Sequence, residues 1–137
     1  MLKPLLFATA LLTIGASASA QGGAARLARC LHGNNESAEQ KTRREQAIKV
    51  AQAINSGEVK MVGPMKPTYK RPEELSNVPA LPPGFALQFN TDGRTYTFSI
   101  KDTLDRCNYA IFSDQEKFVY EATPLTGARV LPVATPQ

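Results

Sequence analysis

Two short stretches hold the residues best equipped for chemistry: RCLHG at 29–33 and KDTLDRCNYAIFSDQ at 101–115. The first sets Arg29 beside Cys30 and His32 two positions on. Cations close to a thiol lower its pKa and expose the thiolate, the nucleophilic form, so Cys30 with His32 would suit redox or nucleophilic catalysis. The second gathers Asp102, Asp105 and Asp114 around Cys107. Carboxylates converging on one point would hold calcium or divide into an acid and a base. Neither stretch completes a known constellation. His32 is the single histidine, and the chain has no C-x-x-C, no C-x-x-C-H, no G-x-S-x-G, no glycine-rich phosphate loop and no D-x-[DN]-x-[DN]-G calcium loop. The reading that follows is of a non-catalytic chain with no metal and no cofactor.

A structural role accounts for the same residues. The chain opens MLKPLLFATALLTIGASASAQ, with Lys3, an apolar run from Leu5 to Ile14 and small residues before Gln21. That is the layout of a secretory signal peptide over residues 1–20, and the apolar run is about half of what a membrane-spanning helix requires. The expected mature chain starts at Gln21, is secreted or periplasmic, and keeps no stable membrane insertion after cleavage. In an oxidising compartment an even pair of cysteines defaults to a disulfide, so Cys30 and Cys107 are expected to be bridged. The short polar side chains of Asp102, Thr103 and Asp105 then belong to a turn, where they bond neighbouring backbone groups. His32 reads as a residue near a helix end.

The elements that position these residues are legible from periodicity. Residues 21–137 suffice for one domain. AARLARCLHG, residues 24–33, has helical spacing ended by Gly33, which predicts two short helical turns. Ser37 and Gln40 form a capping box, and a helix is expected from Ala38 to about Asn55, with Gly57 as its stop. Its stripe is Ala47, Val50, Ala51 and Ile54, with Ile48 at the margin. The charges of KTRRE, 41–45, read as a solvated face, and Glu45 with Lys49 as an i to i+4 pair. Residues 58–83 hold six prolines and form a connector, with one short helix expected over PEELS, Pro72 to Ser76, where proline takes the first helical position and Glu73 and Glu74 complement the dipole. Phe85, Leu87 and Phe89, then Tyr96, Phe98 and Ile100, alternate on either side of an Asp92-Gly93 turn, which predicts a hairpin. A third strand from Cys107 and a fourth over 118–122 complete the expected fold. It is α+β: an amphipathic helix packed on a four-stranded antiparallel meander with a Pro-rich connector, and residues 124–137 as a tail or edge-hugging extension.

The sign of the charge adds little. Formal net charge is +4, and losing Lys3 with the leader leaves 15 basic against 12 acidic side chains, interspersed along the chain. Nucleic-acid binders concentrate such charge, so no nucleic acid is expected. The one basic cluster lies in the connector, where Lys60, Lys66, Lys70 and Arg71 surround Tyr69. It is the candidate surface for a partner or an anionic polymer, against the alternative of solvated lysines on an ordered connector. The segments RCLHGNNES, QAIKVAQAIN and TYTFSIKDTLDRCNYAIFSDQ together resemble a group of small secreted bacterial proteins of uncharacterised role. More weakly, a helix feeding a small meander with a late cysteine is similar to the globular heads of type IV pilins and pseudopilins, although pilins retain the apolar N-terminal helix that this chain is expected to lose. The functional expectation is an exported structural or interaction module held by one disulfide, with another envelope or secreted protein as its partner. The alternatives are the Cys30/His32 thiol enzyme and the polymer binder.

Overall fold

The computed structural model describes residues 30–61, 68–123 and 127–132, with the backbone alone for 59–61. One helix, α1 (Ala38–Met61), and a single antiparallel sheet build it. The strands are β1 (Phe85–Thr91), β2 (Tyr96–Asp102), β3 (Ala110–Asp114), β4 (Tyr120–Thr123) and β5 (Gly127–Val130), each beside its sequence neighbour. The expected α+β class stands. The sheet has five strands rather than four, because part of the segment read as a tail pairs with β4. Residues 1–29, which include the expected leader, lie outside the described residues, as do 62–67, 124–126 and 133–137.

The helix starts where its capping box places it: the Gln40 amide donates to Ser37 Oγ at 3.2 Å, and the Ser37 amide donates to Gln40 Oε1 at 2.9 Å. Ala47, Val50, Ala51 and Ile54 are all buried, as their spacing requires. The helix does not end near Asn55 but continues to Met61. Gly57 is therefore not a stop. It is the point where Leu75, beyond the Pro72–Glu74 3-10 turn, lies against the helix, and a methyl group there would sit 3.1 Å from Leu75 Cδ1. Residues 30–35 form bends and a turn instead of the expected helical end. Glu45 pairs loosely with Lys41, at 3.9 Å, rather than with Lys49.

Strand register sorts the residues between two faces. One row on the inner face runs Leu87, Ile100, Ile111, Glu121, Arg129, and one on the outer face runs Gln88, Ser99, Phe112, Tyr120, Val130. Phe85, Tyr96, Phe98, Ile100 and Ile111 join the helix stripe in one core with Tyr109 and Val119. Cys107 does not begin a strand. It lies in the turn after β2 and is bridged to Cys30 with Cα atoms 5.3 Å apart, tying the first described residue to the sheet.

Candidate functional site

The stretch opening KDTLDRC is consumed by local structure. Asp105 is buried; its Oδ1 accepts from the amides of Leu31 and Cys107, and its Oδ2 accepts from the Tyr109 amide, each at 3.1 Å. One carboxylate thus aligns both ends of the disulfide. Asp102 Oδ1 accepts from the Leu104 amide at 2.9 Å, capping the turn out of β2. Asp114 stands across from Thr97, at the opposite end of β2 from Asp102. The fold therefore does not bring the three aspartates together. The bridge also occupies Cys30, so the thiol chemistry suggested by RCLHG has no thiol in this state.

What the fold does bring together is a charged cluster around His32. The imidazole is buried rather than placed at a helix end, with Nδ1 2.7 Å from Glu36 Oε1 and Nε2 2.8 Å from Asp102 Oδ2. Each ring nitrogen therefore faces a carboxylate oxygen. The ring packs against Tyr109 with ring centroids 4.4 Å apart. Arg44 grips Glu36 with two bonds, Nε to Oε1 at 2.8 Å and Nη2 to Oε2 at 2.9 Å. Burial pushes the Glu36 carboxyl up, but the bonds and charges of Arg44 and His32 outweigh it and hold the group below its ordinary range. The same pairing with Glu36 pushes the Arg44 guanidinium upward.

Arg43 faces inward too. Its Nε and Nη2 donate to the Pro83 carbonyl at 3.1 and 2.8 Å, its guanidinium lies 5.4 Å from the centre of the Phe85 ring, and Nη2 is 3.6 Å from Asp102. Two residues of KTRRE are therefore partly buried ligands of the core, not a solvated face. The physical reason is the helix period: Arg43 and Arg44 continue the stripe of Ala47, Val50, Ala51 and Ile54 by one turn toward the N-terminus.

Glu121 completes the cluster. It occupies an inward position of β4 and is only 3 % exposed. Tyr109 donates its hydroxyl to Glu121 Oε2 at 2.6 Å, and Arg44 Nη1 approaches the same oxygen at 3.5 Å. Burial, reinforced by that bond to Glu121, pushes the Tyr109 phenol up. Arg129 from β5 holds the other oxygen through Nε and Nη2. A cavity of about 350 Å³ lies between the 30–36 loop and the β4–β5 hairpin, with His32, Glu36, Arg44, Tyr109, Glu121 and Arg129 in its wall.

The sequence reasoning missed Glu36, Arg44, Tyr109, Glu121 and Arg129. One signal was available: over FVYEA, 118–122, a strand that puts Glu121 inward must put Tyr120 outward, which inverts the usual pattern. Of the basic cluster in the connector, the structure describes the side chains of Tyr69, Lys70 and Arg71. Tyr69 packs edge-on against Tyr96 at 4.8 Å, the Lys70 amide donates to Glu58 Oε2 at 3.3 Å, and the Arg71 amide donates to Glu74 Oε2 at 3.2 Å. Lys66 and the side chain of Lys60 lie outside the described residues. No protein-family model, no curated protein and no solved structure matches the chain.

Proposed function

We propose that the chain is an exported, non-catalytic binding module whose recognition surface is the outer face of the sheet. The observation that carries this reading is the placement of apolar residues on the side the helix does not cover. Phe112 stacks on Tyr120 with centroids 5.3 Å apart, Phe118 meets Tyr120 edge-on at 6.5 Å, and Val130 is the next residue in the same row. Phe118 and Val130 are 48 % and 54 % exposed, and with Phe112 and Tyr120 they lie next to one another rather than scattered singly. In the neighbouring row Ala110, Ala122 and Ala128 are small beside the aromatics, with Lys101 at its end, so the surface beside the rings is a shallow shelf. Aromatic anchors with small residues around them are what a protein partner's apolar side chains pack against.

A non-catalytic role is supported by the state of the charged cluster, where His32 and Glu36 are bonded to one another and to Asp102 and Arg44. Export is supported by the leader-like N-terminus and by a disulfide of the kind that persists in oxidising compartments. Among the described residues no helix is long and apolar enough to cross a membrane.

The test is a photo-activated cross-linker placed at Phe118, and separately at Gln88 on the polar end of the same face, in cells exporting the protein. A discrete adduct from position 118 that is absent from position 88, and that a Tyr120→Asp change in the labelled protein removes, is the expected result. Equal adducts from both positions, or none from 118, would remove the reading.

A further inference from the structure

The cavity beside Glu121 is independent of the outer face and carries its own inference. Across the inner row Leu87, Ile100, Ile111, Glu121, Arg129, three apolar positions give way to a buried carboxylate. Burying a carboxylate is costly unless both oxygens are bonded. Tyr109 and Arg44 serve Oε2, but among the described residues Oε1 is served by Arg129 alone. That arginine is a weak fixture: its side chain is 73 % exposed, and it stands on a four-residue edge strand exposed at every position. Arg44, the other guanidinium in the wall, is already committed to Glu36 through two bonds. Were Arg129 to swing away, the group left without a partner would be a buried carboxylate oxygen, Glu121 Oε1.

We infer that this cavity is a guanidinium-binding site, its acceptor Glu121 Oε1 held in the isolated chain by Arg129 and available to an arginine side chain of a partner that displaces it. A guanidinium is favoured over an ammonium ion because it is the group the chain itself sets on Oε1 and the more weakly hydrated of the two, so it is desolvated at less cost. At about 350 Å³ the space falls within the range of small-ligand pockets, roughly 300–1,000 Å³.

The experiment vacates the site and refills it. Arg129→Ala and, as a second vacated form, Arg129→Gln are titrated with methylguanidinium chloride and with equal concentrations of sodium chloride, reading the thermal midpoint and the heat of binding. Both variants are expected to bind methylguanidinium saturably and to regain the thermal midpoint lost with Arg129, which sodium chloride does not restore. The native chain is expected to bind at least about tenfold more weakly, because its tethered arginine competes at high effective concentration. Arg129→Ala combined with Glu121→Gln should show no saturable heat. Acetyl-arginine-amide should bind Arg129→Ala, and acetyl-lysine-amide should bind several-fold more weakly. The inference is overturned if methylguanidinium affects the vacated variants no more than sodium chloride does, or if it binds the native chain and the Glu121→Gln double variant as well as Arg129→Ala.

Discussion

Glu58 sits on the buried side of α1 with no exposed surface, its Oε2 accepting from the Lys70 amide and its Oε1 without a hydrogen-bond partner among the described residues. Burial pushes its carboxyl above the ordinary value of 4.5, and the Lys70 bond and the Lys117 charge only partly oppose this. The folded state then holds the proton more tightly than the unfolded chain does. Ionisation costs nothing below about pH 4 and costs stability as pH rises through that range and beyond. Glu58→Gln is expected to be more stable than the native chain at pH 7, by an amount of order 1 kcal/mol, with the difference vanishing near pH 4; thermal melts at the two pH values check it. Glu36 has the opposite sign. Its carboxyl is held low, so its contribution is present above 4.5 and disappears as pH falls through the folded-state value. Glu36→Gln strands Arg44 and one side of His32 and should cost roughly 3 kcal/mol at pH 7, at the low end for breaking a buried pair, and progressively less in acid. A cost that does not change with pH would show that the charge is not what matters at that position.

At the scale of elements, the hairpin and the helix stripe follow from period alone, and both lie where alternation and capping put them. The connections did not follow so directly. Gly84, entering β1, has φ +84°. A methyl group there would lie 2.5 Å from Arg43 Nη2 and 2.8 Å from Leu104 Cδ1, while its carbonyl accepts from both the amide and the hydroxyl of Thr103 at 2.8 Å. Gly84→Ala is expected to cost about 3 kcal/mol through combined backbone strain and crowding, seen as a lower urea midpoint with an unchanged slope. Gly57 offers a contrasting test. An alanine inside a helix ordinarily gains about 1 kcal/mol over glycine. Against Leu75 that gain should be cancelled, and it should reappear once Leu75→Ala clears the space, so that the two changes are non-additive. β5 was hidden for a related reason: GARV has little strand propensity, and only its pairing with β4 makes it a strand.

For the whole molecule the bridge between Cys30 and Cys107 spans 77 residues. In the chain-entropy account closing such a loop stabilises the fold by roughly 4–5 kcal/mol, a large share of what holds a domain of this size. Replacing both cysteines by serine is expected to lower the thermal midpoint by well over ten degrees and to loosen the loop that carries His32; circular dichroism melts with and without reductant measure it. If the chain is exported as proposed, its intact mass is expected to correspond to a start at Gln21, to be two hydrogens light, and to resist alkylation until reduced.

Sequence by itself determined the local grammar: the capping box at Ser37 and Gln40, the apolar stripe of α1, and the hairpin around Asp92-Gly93. These are properties of neighbours along the chain, set by the 3.6-residue and two-residue periods and by short-range hydrogen bonds. The tertiary structure alone decided that Arg43 and Arg44 point inward, that Glu121 faces the core and Tyr120 the solvent, and that His32 lies between Glu36 and Asp102. Those facts depend on partners as much as 70 or more positions away, as His32 to Asp102 and Arg44 to Glu121 are. A buried charge is stable only where such partners converge, and convergence is a property of the folded chain, not of spacing.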